Sequence, residues 1–127
     1  MSFHEFLDDL GARIDEKCQY FGPKGCFMWF GTVRGGKGTP YGRIRVKFPT
    51  DLESKYYYVH RLKFQVENKM QNMPNDMHVS HLCHFSLCCK PDHLSLEPQM
   101  VNNQRLSCSD RCIGHDFNGR HYPDCLI

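Results

Sequence analysis

The sequence predicts a small fold of the α+β class, and three patterns along the 127-residue chain support this prediction. Apolar residues recur at helical spacing near the N-terminus, and apolar and basic residues alternate in the middle as in a strand with one buried face. In the C-terminal half, cysteines and histidines replace the apolar periodicity. We therefore expect one domain in which bound metal supplements a small hydrophobic core.

The composition is that of a folded protein, with 40% hydrophobic and 24% charged residues, and the net charge of +2 permits nucleic-acid binding without requiring it. Eight cysteines accompany eight histidines, and a secreted disulfide scaffold does not explain histidines at ligand spacing among the cysteines. The N-terminal segment lacks the apolar core of a signal peptide, and no stretch approaches the roughly 18 apolar residues of a membrane span. We expect an intracellular protein, nuclear or cytoplasmic, without a membrane partner.

The N-terminal half is predicted to form a helix and then a sheet region. A helix over 3–18, within the N-terminal segment 1–20, has Ser2 as its expected N-cap. The sheet region, 26–67, starts with an apolar strand at 26–33 and a Gly/Pro-rich turn at 34–42. An alternating strand follows at 43–48, and a β-prone run from residue 55 is expected to become helical near Arg61. Residues 70–77 are expected to form a loop.

A first cluster of metal ligands has the pattern C-x4-C-x4-H, formed by Cys83, Cys88 and His93. Structural zinc takes four tetrahedral sulfur or nitrogen ligands, so a fourth must come from elsewhere in the chain. Cys26, at the start of a predicted strand, is the best candidate. The remaining alternatives are Cys18 and Cys89 for the fourth ligand, and His81 and His84 for the histidine.

A second cluster contains Cys108, Cys112, His115, His121 and Cys125. Three cysteines and one histidine complete a closed zinc site, and we favour His115 because its C-x2-H spacing after Cys112 is compact, with His121 as the rival. Two such clusters within 83–125 favour zinc over disulfides or buried free thiols. Each site is expected to contribute on the order of 10 kcal/mol to folding.

Residues 77–105 combine the first cluster with a candidate catalytic pair. His81 stands two residues before Cys83, and Asn102 falls on a helix predicted after Pro98. The region resembles the His-Me finger (ββα-metal) nucleases, and within them the His-Cys box group of homing endonucleases. The residues that carry the resemblance are S-H-L-C-H at 80–84, Cys88, P-x-H-L at 91–94, Glu97, Asn102, Arg105 and Cys108. The resemblance is dense over 78–112, extends over 26–125 and leaves the first 20 residues uncovered.

The resemblance implies a single zinc-bound nuclease domain, with a ββα-metal core over 78–105 and a second zinc loop over 108–125. It implies a metal-dependent DNA endonuclease that hydrolyses phosphodiester bonds. In that enzyme His81 is the general base that activates water, and Asn102 holds one Mg²⁺ or another divalent cation through its side-chain oxygen. Asn103 is the alternative to Asn102. The two zinc ions are structural.

The family also supports the scissile phosphate with an arginine, for which Arg43 and Arg45 are our first candidates. The alternation over 43–48 puts Arg43, Arg45 and Lys47 on one outward face. Together with Arg61, that face is predicted to bind DNA, with double-stranded DNA as the first expectation. The alternative is that these are solvated strand residues. The family's homing enzymes use a longer C-terminal tail to hold a dimer, so a homodimer and a monomer both remain open.

Two other functions compete with the nuclease. A non-catalytic zinc-dependent nucleic-acid-binding module needs the clusters and the basic strand but neither His81 nor Asn102. A protein-binding zinc domain would present the aromatic residues of 56–58 and Trp29, which we expect instead to pack in the core.

Overall fold

The computed structural model describes residues 2–33 and 40–102. Its regular elements, in chain order, are α1 (Phe3–Asp15), β1 (Cys18–Phe21), β2 (Cys26–Trp29), β3 (Arg43–Val46), β4 (Lys55–Tyr58), α2 (Val59–Glu67), β5 (Met77–His81), a 3₁₀ turn (Pro91–His93) and β6 (Leu94–Pro98). Residues 99–102 are helical. This architecture confirms the predicted α+β class. No helix in 2–33 or 40–102 has the length and apolar character that crossing a membrane requires.

Helix α1 begins at a capping box. The Ser2 hydroxyl accepts the Glu5 N–H at 3.1 Å, and the Glu5 carboxylate accepts the Ser2 N–H. The helix ends at Asp15, three residues before the predicted end, because Cys18 instead starts β1 by pairing with Trp29 of β2. Strand β1 was not predicted, since a four-residue strand of sequence CQYF carries no clear period-2 signal.

The described strands form three antiparallel pairs: β1 with β2, β3 with β4, and β5 with β6. The loop after β5 also runs along β2. Met28 forms a bridge with Cys88, and the Cys89 N–H donates to the Phe27 carbonyl at 2.7 Å. This loop therefore docks against β2, which explains how residues 60 positions apart in sequence come together.

The main core lies between the two helices and the inner faces of the strands. Its buried residues are Leu7, Leu10, Ile14, Cys18, Trp29, Ile44, Val46, Phe48, Val59, Leu62 and Cys89. Trp29 fits between two glycines: a Cβ at Gly31 or Gly42 would lie 2.3 or 2.4 Å from its ring atoms. Lys63 of α2 ties the helices together, with its Nζ 2.7 Å from Asp15 Oδ1.

The expectation that all three tyrosines of 56–58 pack in the core is wrong. Tyr57 faces inward with Ile44, whereas Tyr56 and Tyr58 remain 51% and 41% exposed. The reason is the strand period of two, which turns successive side chains to opposite faces of the β3–β4 pair. Two of the three rings therefore belong to the same outer face as Arg43 and Arg45.

The β5–β6 hairpin and the helical residues after it form a ββα unit. His81, the last residue of β5, pairs with Leu94, the first residue of β6. The connection between them, 82–93, carries three of the four predicted ligands of the first cluster. The hairpin thus places the metal ligands at the same end as His81.

Candidate metal centre and active site

Cys26, Cys83, Cys88 and His93 converge in a buried cluster in which all four ligand atoms lie within 4.8 Å of one another. His93 Nδ1 is 3.6 Å from Cys26 Sγ and 3.5 Å from Cys88 Sγ. A tetrahedral zinc with Zn–S and Zn–N lengths of about 2.3 and 2.05 Å separates sulfur and nitrogen ligands by about 3.6 Å. The set has this spacing, and it is a Cys3His zinc-binding site.

Local structure explains how each ligand reaches the cluster. Gly25, with φ of 67°, makes the turn that delivers Cys26 at the start of β2. The 3₁₀ turn Pro91–His93 orients His93, and Leu82 N–H donates to the His93 carbonyl at 2.8 Å. Lys24 Nζ donates to the Cys83 carbonyl at 3.3 Å, which joins the β1–β2 turn to the ligand loop.

The ionisation of the cysteines in this cluster is coupled to metal binding. Burial raises the pKa of Cys26 to about 11, while hydrogen bonding with Cys83 lowers the pKa of Cys88 to about 5. Without metal, the site thus favours one thiolate beside protonated neighbours. Three thiolates around one histidine require a divalent cation, which zinc supplies when bound.

The alternatives for the first cluster lie elsewhere in the structure. Cys18 and Cys89 hydrogen-bond to each other within the main core rather than joining the cluster. His81 and His84 are likewise outside the four-residue set. Several predicted residues fall outside the described ranges: Asn103, Arg105, Cys108, Cys112, His115, His121 and Cys125.

His81 lies in an aromatic pocket beside the zinc site. Its ring is 4.6 Å from that of His60 and 6.2 Å from that of Tyr41. Burial lowers the pKa of His81 to about 4, and a backbone hydrogen bond with Cys88 opposes this shift only in part. The imidazole is therefore neutral at pH 7. Its Nε2 is buried and has no hydrogen-bond partner among the described residues, so this nitrogen is not engaged by the described part of the protein.

Asn102 is held near the end of β5 by a side-chain hydrogen bond. Its Oδ1 accepts a hydrogen bond from the Ser80 hydroxyl at 2.8 Å, and Ser80 is fully buried. Ser80 immediately precedes His81, so this bond connects the start of the helix to the end of β5. A carbonyl oxygen has two lone pairs, and one remains available to a cation.

The predicted basic face exists on β3 and β4. Arg43 is half-buried, whereas Arg45 and Lys47 are exposed. Tyr58 lies opposite Arg43 in the register and stacks edge-on with Tyr41 at 5.6 Å. Since Tyr41 also contacts the His81 ring, a chain of ring contacts connects the basic face with the candidate catalytic histidine.

Arg61 has different surroundings from the other basic residues. Its guanidinium donates to the carbonyls of Met77 at 2.7 Å and of Pro74, so it holds the 74–77 loop against α2. Arg61 also lines a cavity of about 400 Å³ together with Arg43 and the tyrosines of β4. Unlike Arg61, neither Arg43 nor Arg45 has a described hydrogen bond from its guanidinium to a backbone carbonyl.

Tyr41 and His60 were not predicted as site residues, and no role was predicted for Ser80. Each matters through a contact between segments distant in the chain, and the sequence pattern carries no signal for such contacts. Only Ser80 stood within the motif that drew attention to His81.

Residues 25–127 match the sequence profile of a protein family described as the zinc-binding loop region of homing endonuclease. The matched segment includes the Cys3His site, His81 and Asn102, and the second cysteine cluster. No curated protein and no solved structure matches the chain significantly.

Proposed function

The chain belongs to the family of the zinc-binding loop region of homing endonuclease, and from this premise we propose that it is a Mg²⁺-dependent DNA endonuclease that hydrolyses phosphodiester bonds. The observation that carries the proposal is the placement of His81 and Asn102. Both lie at one end of a ββα unit, connected through Ser80 and braced by the Cys3His site.

In this proposal His81 is the general base. A base must be neutral and must offer an unengaged nitrogen to the attacking water. Two features support the role: burial lowers the pKa of His81 to about 4, and Nε2 has no partner among the described residues. The rings of His60 and Tyr41 limit the orientations that the imidazole can adopt.

Asn102 holds the catalytic divalent cation through Oδ1. Mg²⁺ keeps several waters and needs only one or two protein oxygens when the substrate phosphate supplies others. The Ser80 hydrogen bond supports this role because it fixes the amide with its oxygen toward the hairpin end. When bound, the ion stabilises the charge that develops on the phosphate and leaving oxygen.

The zinc ions are structural in this scheme, because a Cys3His set is closed and leaves no position for substrate. The first zinc binds Cys26, Cys83, Cys88 and His93. A second is proposed at Cys108, Cys112 and Cys125 with His115 or His121. Arg43, Arg45 and Lys47 bind the DNA backbone on the outer face of β3, with Arg43 or Arg45 at the scissile phosphate and Arg61 at the edge of this surface.

The test is cleavage of supercoiled plasmid by zinc-loaded protein with and without added Mg²⁺. The proposal predicts cleavage only with Mg²⁺ and a marked loss in Asn102→Ala, whereas Asn72→Ala, an exposed loop variant, cleaves as wild type does. Protein that binds DNA but never cuts it would support the non-catalytic binding module instead. Linear product alongside nicked product would favour a homodimer over a monomer.

A further inference from the structure

Two arginines on the outer face of β3 converge on a single tyrosine ring. The guanidinium carbon of Arg43 lies 4.4 Å from the centroid of Tyr56, and that of Arg45 lies 5.4 Å from it. Both distances fall within the roughly 6 Å range of a cation–π interaction. The strand register explains the geometry: Arg45 is directly opposite Tyr56, and Arg43 is its diagonal neighbour.

This arrangement brings two like charges together without an acidic partner. Among the described residues, neither arginine forms an ion pair. Arg45 Nε donates to the neutral hydroxyl of Ser54 at 2.8 Å, and the buried Arg43 Nε has no hydrogen-bond partner in the described part of the chain. The electron-rich face of Tyr56 offsets part of the repulsion. The remaining positive charge favours the binding of an anion from outside the chain.

The spacing of the two arginines suits a nucleic-acid backbone. Residues two apart on a strand are separated by about 6.6–6.8 Å. Because one DNA strand carries a charge for about every 3.4 Å of helix axis, a span of this length covers a short run of phosphates of one strand. Arginine side chains held at this separation can therefore bind phosphates along a single strand, provided that both side chains are kept extended over the same surface.

The pair is also connected to His81 through a chain of aromatic contacts. Arg43 lies opposite Tyr58 in the register, Tyr58 contacts Tyr41, and Tyr41 contacts His81. A strand whose phosphates lie over Arg45 and Arg43 is thus directed toward the candidate catalytic histidine.

We propose that Tyr56 is a positioning residue for DNA, whose ring holds the Arg43 and Arg45 guanidinium groups side by side so that they bind backbone phosphates next to the active site. This inference rests on the proposed nuclease function. It assigns to an exposed aromatic residue a role that packing does not explain, since Tyr56 is 51% exposed.

The experiment measures binding of a short labelled duplex of mixed sequence, with Ca²⁺ in place of Mg²⁺ to prevent cleavage. Tyr56→Leu removes the aromatic face and is expected to weaken binding by about five- to tenfold. Tyr56→Phe keeps the face and is expected to bind as wild type does. The matched control is Tyr20→Leu: Tyr20 is 71% exposed, and its ring packs on Phe27 without a guanidinium over it in the described structure.

A double-mutant cycle separates positioning from a general effect on structure. In an Arg43→Gln/Arg45→Gln background, Tyr56→Leu is expected to cause no further loss, because the groups that it positions are gone. The inference is wrong if Tyr56→Leu binds as tightly as wild type, or if its loss is the same in both backgrounds. Wild type that neither binds nor cuts DNA would instead overturn the proposed function itself.

Discussion

His81 and Asn102 occupy contrasting surroundings, and the contrast fits the different tasks proposed for them. His81 lies among the rings of His60 and Tyr41, where burial keeps its imidazole neutral. Asn102 lies against a buried hydroxyl that fixes its amide. The sequence motif was enough to single out both residues. It did not reveal Tyr41 or His60, because their contacts with His81 join segments that are far apart in the chain.

Ser80 gives the first prediction at this scale. Ser80→Ala removes the donor that orients the Asn102 amide, so the Mg²⁺ concentration for half-maximal cleavage is expected to rise by about tenfold, as when a supporting partner of a metal ligand is lost. The measurement is a Mg²⁺ titration of plasmid cleavage. Ser95→Ala, at the position paired with Ser80 on β6, is the control. An unchanged Mg²⁺ requirement in Ser80→Ala would rule out this role.

The connection between β5 and β6 is the element that organises the site. It supplies Cys83, Cys88 and His93, and it docks on β2, which supplies Cys26. The C-x4-C-x4-H spacing predicted three ligands directly, because ligands within one short loop leave a local signature. Cys26 was chosen only as the best of several cysteines, since a ligand from a distant strand leaves no such signature.

Zinc content is expected to distinguish a cysteine that binds zinc from a cysteine that packs in the core. Cys26→Ala is expected to lose one zinc ion per chain and much of the thermal stability, because removal of a ligand opens the site. Cys89→Ala is the control, since Cys89 is adjacent to a ligand but packs with Cys18 in the main core. It is expected to keep its zinc and lose only packing. Elemental analysis and thermal melts check both; equal zinc content in the two variants would contradict the ligand assignment.

The segment around Trp29 supports a second prediction about an element. Gly42→Ala places a methyl group 2.4 Å from the Trp29 ring, a distance at which the ring must move. We expect destabilisation of about 1–3 kcal/mol, the usual range for overpacking a core. Chemical denaturation of zinc-loaded protein measures the change. A variant as stable as wild type would show that the ring has room to shift.

Helices and strands were predictable where the apolar residues showed a clear helical or strand periodicity. Helix α1 and the alternating strand β3 have the predicted character, and the run from residue 55 changes from strand to helix at Val59, two residues before the expected position. Strand β1 and the outward tyrosines were misjudged. Both depend on pairing with a neighbouring strand, which composition alone does not reveal.

Across the whole molecule, zinc adds a second connection to the one that the hydrophobic core makes. The core joins α1, α2 and β3 with Cys18 of β1, Trp29 of β2 and Cys89 of the β5–β6 connection, and the Cys3His site also fastens the β1–β2 hairpin to the ββα unit that holds His81 and Asn102. The basic outer face of β3–β4 meets this unit through Tyr58 and Tyr41. Metal removal is therefore expected to affect catalysis by disrupting the arrangement of these parts.

Zinc stoichiometry tests this view of the whole chain. Native mass spectrometry of purified protein is expected to find two zinc ions per chain, one at the Cys3His site and one at the cluster over 108–125. His115→Ala and His121→Ala, compared for zinc content, identify the histidine of the second site. Less than one zinc per chain would contradict the zinc-scaffold account.

The most direct test of the central claim is the rate of Mg²⁺-dependent plasmid cleavage by His81→Ala beside wild type and His4→Ala, an exposed variant on α1. We expect His81→Ala to keep its zinc and its DNA binding but to cleave about 100- to 10,000-fold more slowly, because a general base is removed. His4→Ala is expected to cleave at the wild-type rate. Cleavage by His81→Ala at the wild-type rate, with zinc content unchanged, would contradict the assignment of His81 as the base.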